Sequence, residues 1–300
     1  MKEPLVTVIV ICYNHDKYVV QAIQSVLDQD YQNIEIIIAD DASTDQSVEK
    51  ILELVSSTQS LIFLPNEENI GNCKTFNKAF SQSSGEYILD LSADDALDSS
   101  RVRRGVELLQ ERGPEYGVHY CDAWLVNEND TLIGLHSKSS GLIEKDPFPE
   151  GYIFSKLLKR YFICPPTLMA TRSVFESLNG YDETLSYEDF DFLIRSSKNF
   201  DFCASQEPLV IRRVLENSKS SVQSAEPKYY RSTLEVCKKA ISLTDTKEEK
   251  SALATRVLFE SWQASKRKQY DMVIDYLKLM DQLNVPKWRQ LVYKLLMKTH

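Results

Sequence analysis

The sequence lacks what a phosphate-cradling backbone loop would need. Only 9 of 300 residues are glycine, and the first strand-like run leads into CYNHDKY with no glycine-rich turn. A dinucleotide fingerprint needs glycines where the backbone approaches pyrophosphate, so a dinucleotide-dependent oxidoreductase is not supported. A nucleotidyltransferase that makes sugar nucleotides would want a glycine-rich, Arg- and Lys-bearing loop at the same place, which is also missing. Positive charge is scarce as well. With 35 Lys and Arg against 44 Asp and Glu, the net charge is -9, too negative to neutralise a run of phosphates, and no nucleic-acid partner is expected.

Six cysteines (12, 73, 121, 164, 203 and 237) are scattered without CxxC pairs or histidines at ligand spacing. Such usage fits reduced thiols in a cytosolic protein and argues against a structural zinc site. No apolar stretch is long enough to span a bilayer. The opening MKEPLVTVIVICYN has its apolar run broken by Tyr13 and Asn14 and lacks a small-residue cleavage site. It reads as a core strand and not a signal peptide, and a cytoplasmic location is expected.

The chain does contain alternation. LVTVIVIC, NIEIIIAD, LIFLP and EYILDL are strand-like, and helical spacing marks residues 16–29, 45–57 and 72–82 between them. A βαβαβαβ order implies a mainly parallel sheet whose ligands collect beyond the carboxyl ends of its strands. The residues there are Tyr13 and Asn14, Asp40 and Asp41, Asn69 and Gly71, and Asp94 and Asp95. After residue 115 the pattern is mixed: two strands around the turn at Asn129 and Asp130, a Ser-, Gly- and Pro-bearing loop over 136–150, a helix near 151–160, a strand-like CPPTLMAT, and helices from about 172 and over 187–199. From about 224 onward it is helical, with a break at Pro286.

Two acidic pairs thus end two predicted strands on one rim, Asp40-Asp41 and Asp94-Asp95. Each alone also suits a helix N-terminus or a turn, where Asp accepts bonds from free N–H groups. Adjacent carboxylates disfavour each other's ionisation unless they are solvated or share a cation. A third acidic site, LSYEDFDFLIRSS, could be a capping box from Ser186 to Asp189, which leaves Glu188 unexplained.

These segments resemble the family 2 inverting glycosyltransferases. VTVIVICYNHDKYVVQAIQSVLDQDYQNIEIIIADDASTD is similar to their opening, with a Ser-x-x-x-Gln element from Ser25 to Gln29 and a strand ending in Asp-Asp-x-Ser-x-Asp. NIGNCKTFNKAFSQSSGEYILDLSADD resembles their Asn-x-Gly, later Asn, Gly-Glu-Tyr and aspartate motifs, and GYDETLSYEDFDFLIR resembles their Gly-Tyr-Asp followed by Glu-Asp. The likeness spans about residues 4–220. It implies an α/β GT-A fold, Rossmann-like with a mixed central sheet, over 1–220, and a helical appendage over 221–300.

The resemblance also implies an activity: transfer of a sugar from a nucleotide-diphosphate sugar, expected to be a UDP-sugar, to a hydroxyl of a glycan or lipid-linked acceptor, as in polysaccharide biosynthesis. Asp95 and Asp94 would hold Mn or Mg. Tyr13, Asn14, Asp40, Asp41, Asn69, Gly71, Lys74, Ser92 and Asp94 would line the nucleotide, with Tyr13 stacking, Asp41 accepting the N3–H of uracil, and Lys74 either facing diphosphate or simply solvated. Asp189 is the candidate general base, with Glu188 as the alternative or as an acceptor-orienting group. Two positions depart from the family pattern. Ser92 stands where many members have the first Asp of Asp-x-Asp-Asp, and Leu215 stands where many have the His of Tyr-Arg-x-His. These departures keep a second reading open, a non-catalytic nucleotide-sugar-binding or scaffold protein.

PKWRQLVYKLLMK puts Trp288, Leu291, Val292, Leu295 and Leu296 on one helical face, with Lys287, Arg289, Lys294 and Lys298 elsewhere. Residues 286–298 could lie on the inner face of an anionic membrane or pack on the helices before them.

Overall fold

The computed structural model describes residues 3–58, 60–139, 148–186, 188–215 and 227–290. They form two compact units. The first comprises residues 1–152, 162–183 and 200–218, and the second 153–161, 184–199 and 219–300.

The first unit is built on one sheet. Its parallel part consists of β1 (Val6–Cys12), β2 (Ile34–Asp40), β3 (Leu61–Pro65) and β4 (Tyr87–Ser92), in the order β3-β2-β1-β4. All seven residues of β1 are buried, as expected for a strand covered on both faces. The covering helices are α1 (Val19–Leu27), α2 (Ser47–Ser57), α3 (Asn72–Gln82) and α4 (Arg101–Arg112), joined by the short β5 (Ala96–Leu97). These elements match the expected alternation.

The second half of the sheet is mixed. It contains β6 (Tyr116–Val126), β7 (Leu132–Leu135), a four-residue helix α5 (His136–Ser139), then β8 (Met169–Thr171), α7 (Arg172–Leu178) and β9 (Asp201–Arg213). The order continues β4-β8-β6-β9-β5, with β7 hairpinned onto β6. β9 was not foreseen. Its 13 residues include Gln206, Glu207 and Pro208, which break the apolar alternation, and the ladder absorbs them as a register shift where Asp122 meets Pro208. CPPTLMAT is shorter as a strand than expected, because Pro165–Thr167 form a 3-10 turn.

Two family-like motifs have packing explanations in this unit. A Cβ on Gly85 would lie 2.4 Å from the backbone nitrogen of Thr7, so β4 can begin beside β1 only with glycine there. Asn77 and Tyr181 exchange two hydrogen bonds, Asn77 Nδ2 to the Tyr181 carbonyl and Tyr181 N–H to Asn77 Oδ1, both 2.9 Å.

The second unit is helical: α6 (Phe154–Lys159), α8 (Glu188–Ser196), α9 (Pro227–Leu243), α10 (Lys247–Lys266) and α11 (Tyr270–Gln282). Thr246 and Glu249 form a reciprocal capping box that starts α10. Phe190 of α8 is buried under the Arg256 guanidinium, whose carbon lies 4.9 Å from the ring centroid, and Arg256 Nε donates to the Leu158 carbonyl of α6. Two internal segments therefore pack with the C-terminal helices. Trp288 is 67 % exposed with Arg289 over its ring. The rest of the expected stripe, Leu291, Val292, Leu295 and Leu296 with Lys294 and Lys298, lies outside the described residues, as do residues 140–147 of the expected loop. No helix among the described residues is long and apolar enough to cross a membrane.

Candidate active site

The parallel strands end in register. Cys12 of β1 is level with Asp40 of β2, and Ile11 with Ser92 of β4. Cross-links continue past the strands, with Asp41 N–H to the Cys12 carbonyl (2.9 Å), Ala93 N–H to the Ile11 carbonyl (2.8 Å) and Asn66 N–H to the Asp40 carbonyl (2.8 Å). One rim thus collects Tyr13, Asn14, Asp40, Asp41, Gly71, Ser92, Asp94 and Asp95.

The turns at this rim are conformationally demanding. Asn14 and Ala42 both have positive φ, 58° and 62°, and for alanine that is uncommon enough to require support from its surroundings. The two turns brace each other: Asn14 N–H donates to Ser43 Oγ (2.9 Å) and Thr44 N–H to Asn14 Oδ1 (2.8 Å). Asp40, fully buried, accepts from Ser43 N–H (2.8 Å) and Ser43 Oγ (2.5 Å). Asn14 and Asp40 are therefore supports of the rim. Tyr13 stays 40 % exposed beside them.

Asp41 is buried and heavily bonded. Its Oδ1 accepts from Asn66 Nδ2 (3.1 Å), Ile70 N–H (2.8 Å) and Thr75 Oγ1 (2.9 Å), and its Oδ2 accepts from Gly71 N–H (3.0 Å). The loop over 66–71 is wrapped around this carboxylate, with Gly71 at φ 90° opening α3. A carboxylate offers about four lone-pair sites, so the remaining capacity of Asp41 is on Oδ2. Asn69 and Lys74 are exposed on the same loop and the first turn of α3.

Asp94 and Asp95 sit differently. Asp94 accepts a short hydrogen bond from Ser92 Oγ, and its Oδ1 lies 3.9 Å from His15 Nδ1. Asp95 is buried, and its Oδ1 accepts from the backbone N–H of Arg213 (2.7 Å). Burial, reinforced by the neighbouring Asp94 carboxylate, pushes the Asp95 carboxyl well above the usual range, against the bond from Arg213 and the positive charges of Arg212 and Arg213. The segment after the pair is strapped to α1. Leu97 N–H donates to Ser25 Oγ (3.0 Å), Gln29 Nε2 donates to the Asp98 carbonyl (2.7 Å), and Val102 N–H donates to Gln29 Oε1 (2.9 Å). The Ser-x-x-x-Gln element thereby fixes where β4 leads.

Among the described residues no group of three or more His, Cys, Asp or Glu could hold a metal by itself. The donors present fit a hard divalent ion only in part. Mg and Mn sites commonly use one or two carboxylates and complete their shell with substrate phosphates and water; half-buried Asp94 and buried Asp95 are carboxylates of that kind at this rim.

In the second unit Glu188 and Asp189 open α8, each half-buried in its first turn. The third acid of that turn, Asp191, is 1 % exposed and structural, bonded by Arg195 Nε (2.6 Å) and Lys239 Nζ (2.8 Å). Sequence reasoning passed over His15 and Arg213 at the first unit's rim. His15 lay within the quoted CYNHDKY, but nothing local signals that its ring faces Asp94.

The profile of glycosyl transferase family 2 matches residues 7–178. This chain belongs to that family. It is similar to a Bacillus subtilis (strain 168) protein named "Putative teichuronic acid biosynthesis glycosyltransferase TuaG", 36% identical over 227 residues, which cover 73% of this chain and 82% of that one. Among solved structures, S. aureus TarS 1-349 in complex with UDP superposes with a TM-score of 0.71 at 19% identity, covering 98% of this chain and 90% of that one. The mannosyltransferase PcManGT of Pyrobaculum calidifontis, in complex with GDP-Man and Mn2+, gives 0.67 at 16% identity, covering 94% and 76%. At such identities the structural likeness carries the GT-A fold alone. Family membership makes the protein a glycosyltransferase, a transferase enzyme acting on nucleotide sugars.

Proposed function

We propose that this family 2 glycosyltransferase moves a sugar from a UDP-sugar to a hydroxyl of a glycan or lipid-linked acceptor, with inversion at the anomeric carbon. The observation that carries the reading is the common rim at which β1, β2 and β4 end. It holds an exposed aromatic, a bonded carboxylate with one open oxygen, and two adjacent carboxylates, half-buried Asp94 and buried Asp95.

In this reading Tyr13 stacks on the uracil, and Asp41 Oδ2 accepts its N3–H while Oδ1 keeps the 66–75 loop in place. Asn14 and Asp40 hold the turns on which those contacts depend, and Asn69, Gly71, Lys74 and Ser92 line the nucleotide. Asp94 and Asp95 would hold a divalent Mg or Mn ion, which when bound would offset the charge developing on the departing diphosphate. Asp189 takes the acceptor's proton while that oxygen attacks the anomeric carbon from the face opposite the diphosphate. The bond to the leaving oxygen breaks, and its electron pair departs with the nucleotide. A first-turn position favours the ionised carboxylate that a base requires. Glu188 orients the acceptor. Support for UDP and for the ion comes from the UDP bound to TarS and the Mn2+ bound to PcManGT, and support for a glycan acceptor from TuaG's name.

A thermal-shift screen of UDP, UDP-sugars and GDP-sugars with and without Mn tests donor choice, because a ligand that binds the native state must raise its stability. UDP-sugar hydrolysis abolished by Asp95→Ala and by Asp189→Ala would support the assignment. A folded chain that neither binds UDP nor turns over any donor would return the scaffold reading.

A further inference from the structure

Arg213 closes β9, and its side chain is 1% exposed. Its backbone N–H donates to Asp95 Oδ1 (2.7 Å), and its Nη1 donates to the Asp94 carbonyl. Nη2 donates to Gln21 Oε1 of α1 (2.9 Å) and to the Asp130 carboxylate. The guanidinium carbon lies 4.1 Å from the centroid of the Tyr18 ring, and the Tyr18 hydroxyl reaches the Glu128 carbonyl (3.2 Å). Asp130 and Glu128 belong to the tip of the β6–β7 hairpin. That tip is firm in its own right: Asn127 Oδ1 accepts from Asn129 N–H (2.9 Å) and Thr131 N–H (3.0 Å).

The guanidinium touches the Asp94 carbonyl, and among the described residues its carboxylate partner is Asp130. It therefore fixes the course of the Asp94-Asp95 turn through the Asp94 carbonyl, without its guanidinium bonding either of the two carboxylate groups. With both Nη atoms engaged and the side chain buried, it is poorly placed to reach a donor phosphate. A planar fork can hold a carbonyl, an amide and a carboxylate at once, which a lysine point charge cannot.

We propose that Arg213 is a positioning residue, a latch through which α1 and the β6–β7 hairpin tip set the geometry of the Asp94-Asp95 turn. The proposal rests on the glycosyltransferase reading of that turn. Asp130 is 57% exposed at a φ of 57°, a conformation asparagine also tolerates, so Asp130→Asn probes the latch without endangering the fold.

The test is a double-mutant cycle of Arg213→Lys and Asp130→Asn on the full chain, assayed with UDP-GlcNAc or UDP-glucose and Mn2+, with thermal stability measured alongside. Each single variant is expected to lower kcat roughly tenfold, since small misplacements of reacting groups are costly. Donor KM should move less than about threefold, and the double variant should be no worse than Arg213→Lys. Several results would overturn the latch: wild-type kcat in Asp130→Asn, multiplying losses, a rise in KM alone, or a lower melting temperature at unchanged kcat. Each of them leaves the function standing if the wild type is active. A wild type inert towards every donor overturns the function and the latch together.

Discussion

Two aspartate pairs end two parallel strands of the same sheet, and their surroundings are nearly opposite. Asp40-Asp41 follows β2, and the chain supplies its partners: Ser43 for Asp40, and Asn66, Ile70, Gly71 and Thr75 for Asp41. Asp94-Asp95 follows β4. There Asp95 has the single backbone donor of Arg213 among the bonds described, and burial works against its charge. A buried carboxylate ringed by donors is content as an anion and acts as a clamp, whereas one left short of donors stores a demand for positive charge. The first pair shapes the rim, and the second is the one to which the proposed function assigns the cation.

The largest expected effect separates the pairs by activity. Asp95→Asn should lower kcat by about 10²–10³-fold, the scale of losing one preorganised electrostatic group, with thermal stability equal to or above wild type because a strained charge is gone. A marked loss of stability would mean that Asp95 is a clamp as well. Asp41→Ala should do the reverse of Asp95→Asn in the folding experiment. It strands four donors and should cost roughly 3–5 kcal/mol by denaturant unfolding, and an unfolding free energy within error of wild type would break the comparison. Gln29→Ala removes a strap behind the second pair and should cost about 1–3 kcal/mol, with kcat falling through displacement of residues 97–102.

The smallest effect serves as a control away from both pairs. His119 of β6 is fully buried, and burial, then Arg101 and Arg104, hold its pKa well below the ordinary value. The folded state resists a proton that the unfolded state accepts, so stability is retained above the unfolded pKa of about 6.5 and lost as pH falls below it. His119→Gln should flatten the fall in melting temperature between about pH 7 and 5. An unchanged slope would assign that fall to the carboxylates instead.

Much of the fold was legible beforehand because its signals are local. Apolar runs separated by helical spacing announce parallel strands, and Gly85 and Gly71 mark places where a side chain or a negative φ would not do. β9 was hidden because Glu207 and Pro208 interrupt its period, and only the register shift against Asp122 accommodates them. The grouping of α6 and α8 with the C-terminal helices was equally invisible. Six residues holding Phe154, Leu157 and Leu158 say that a helix is buried, and they do not say that Arg256, far along the chain, will cap it.

The sequence by itself determined that carboxylates end β2 and β4, because strand length and polarity are properties of neighbouring residues. Tertiary structure decided how each carboxylate lives: Asp41 among donors from Asn66 to Thr75, Asp95 under the N–H of a residue more than a hundred positions away. Burial and hydrogen bonding are set by whatever the fold brings alongside a group, and it is those surroundings that turn two similar pairs of residues into different chemistry.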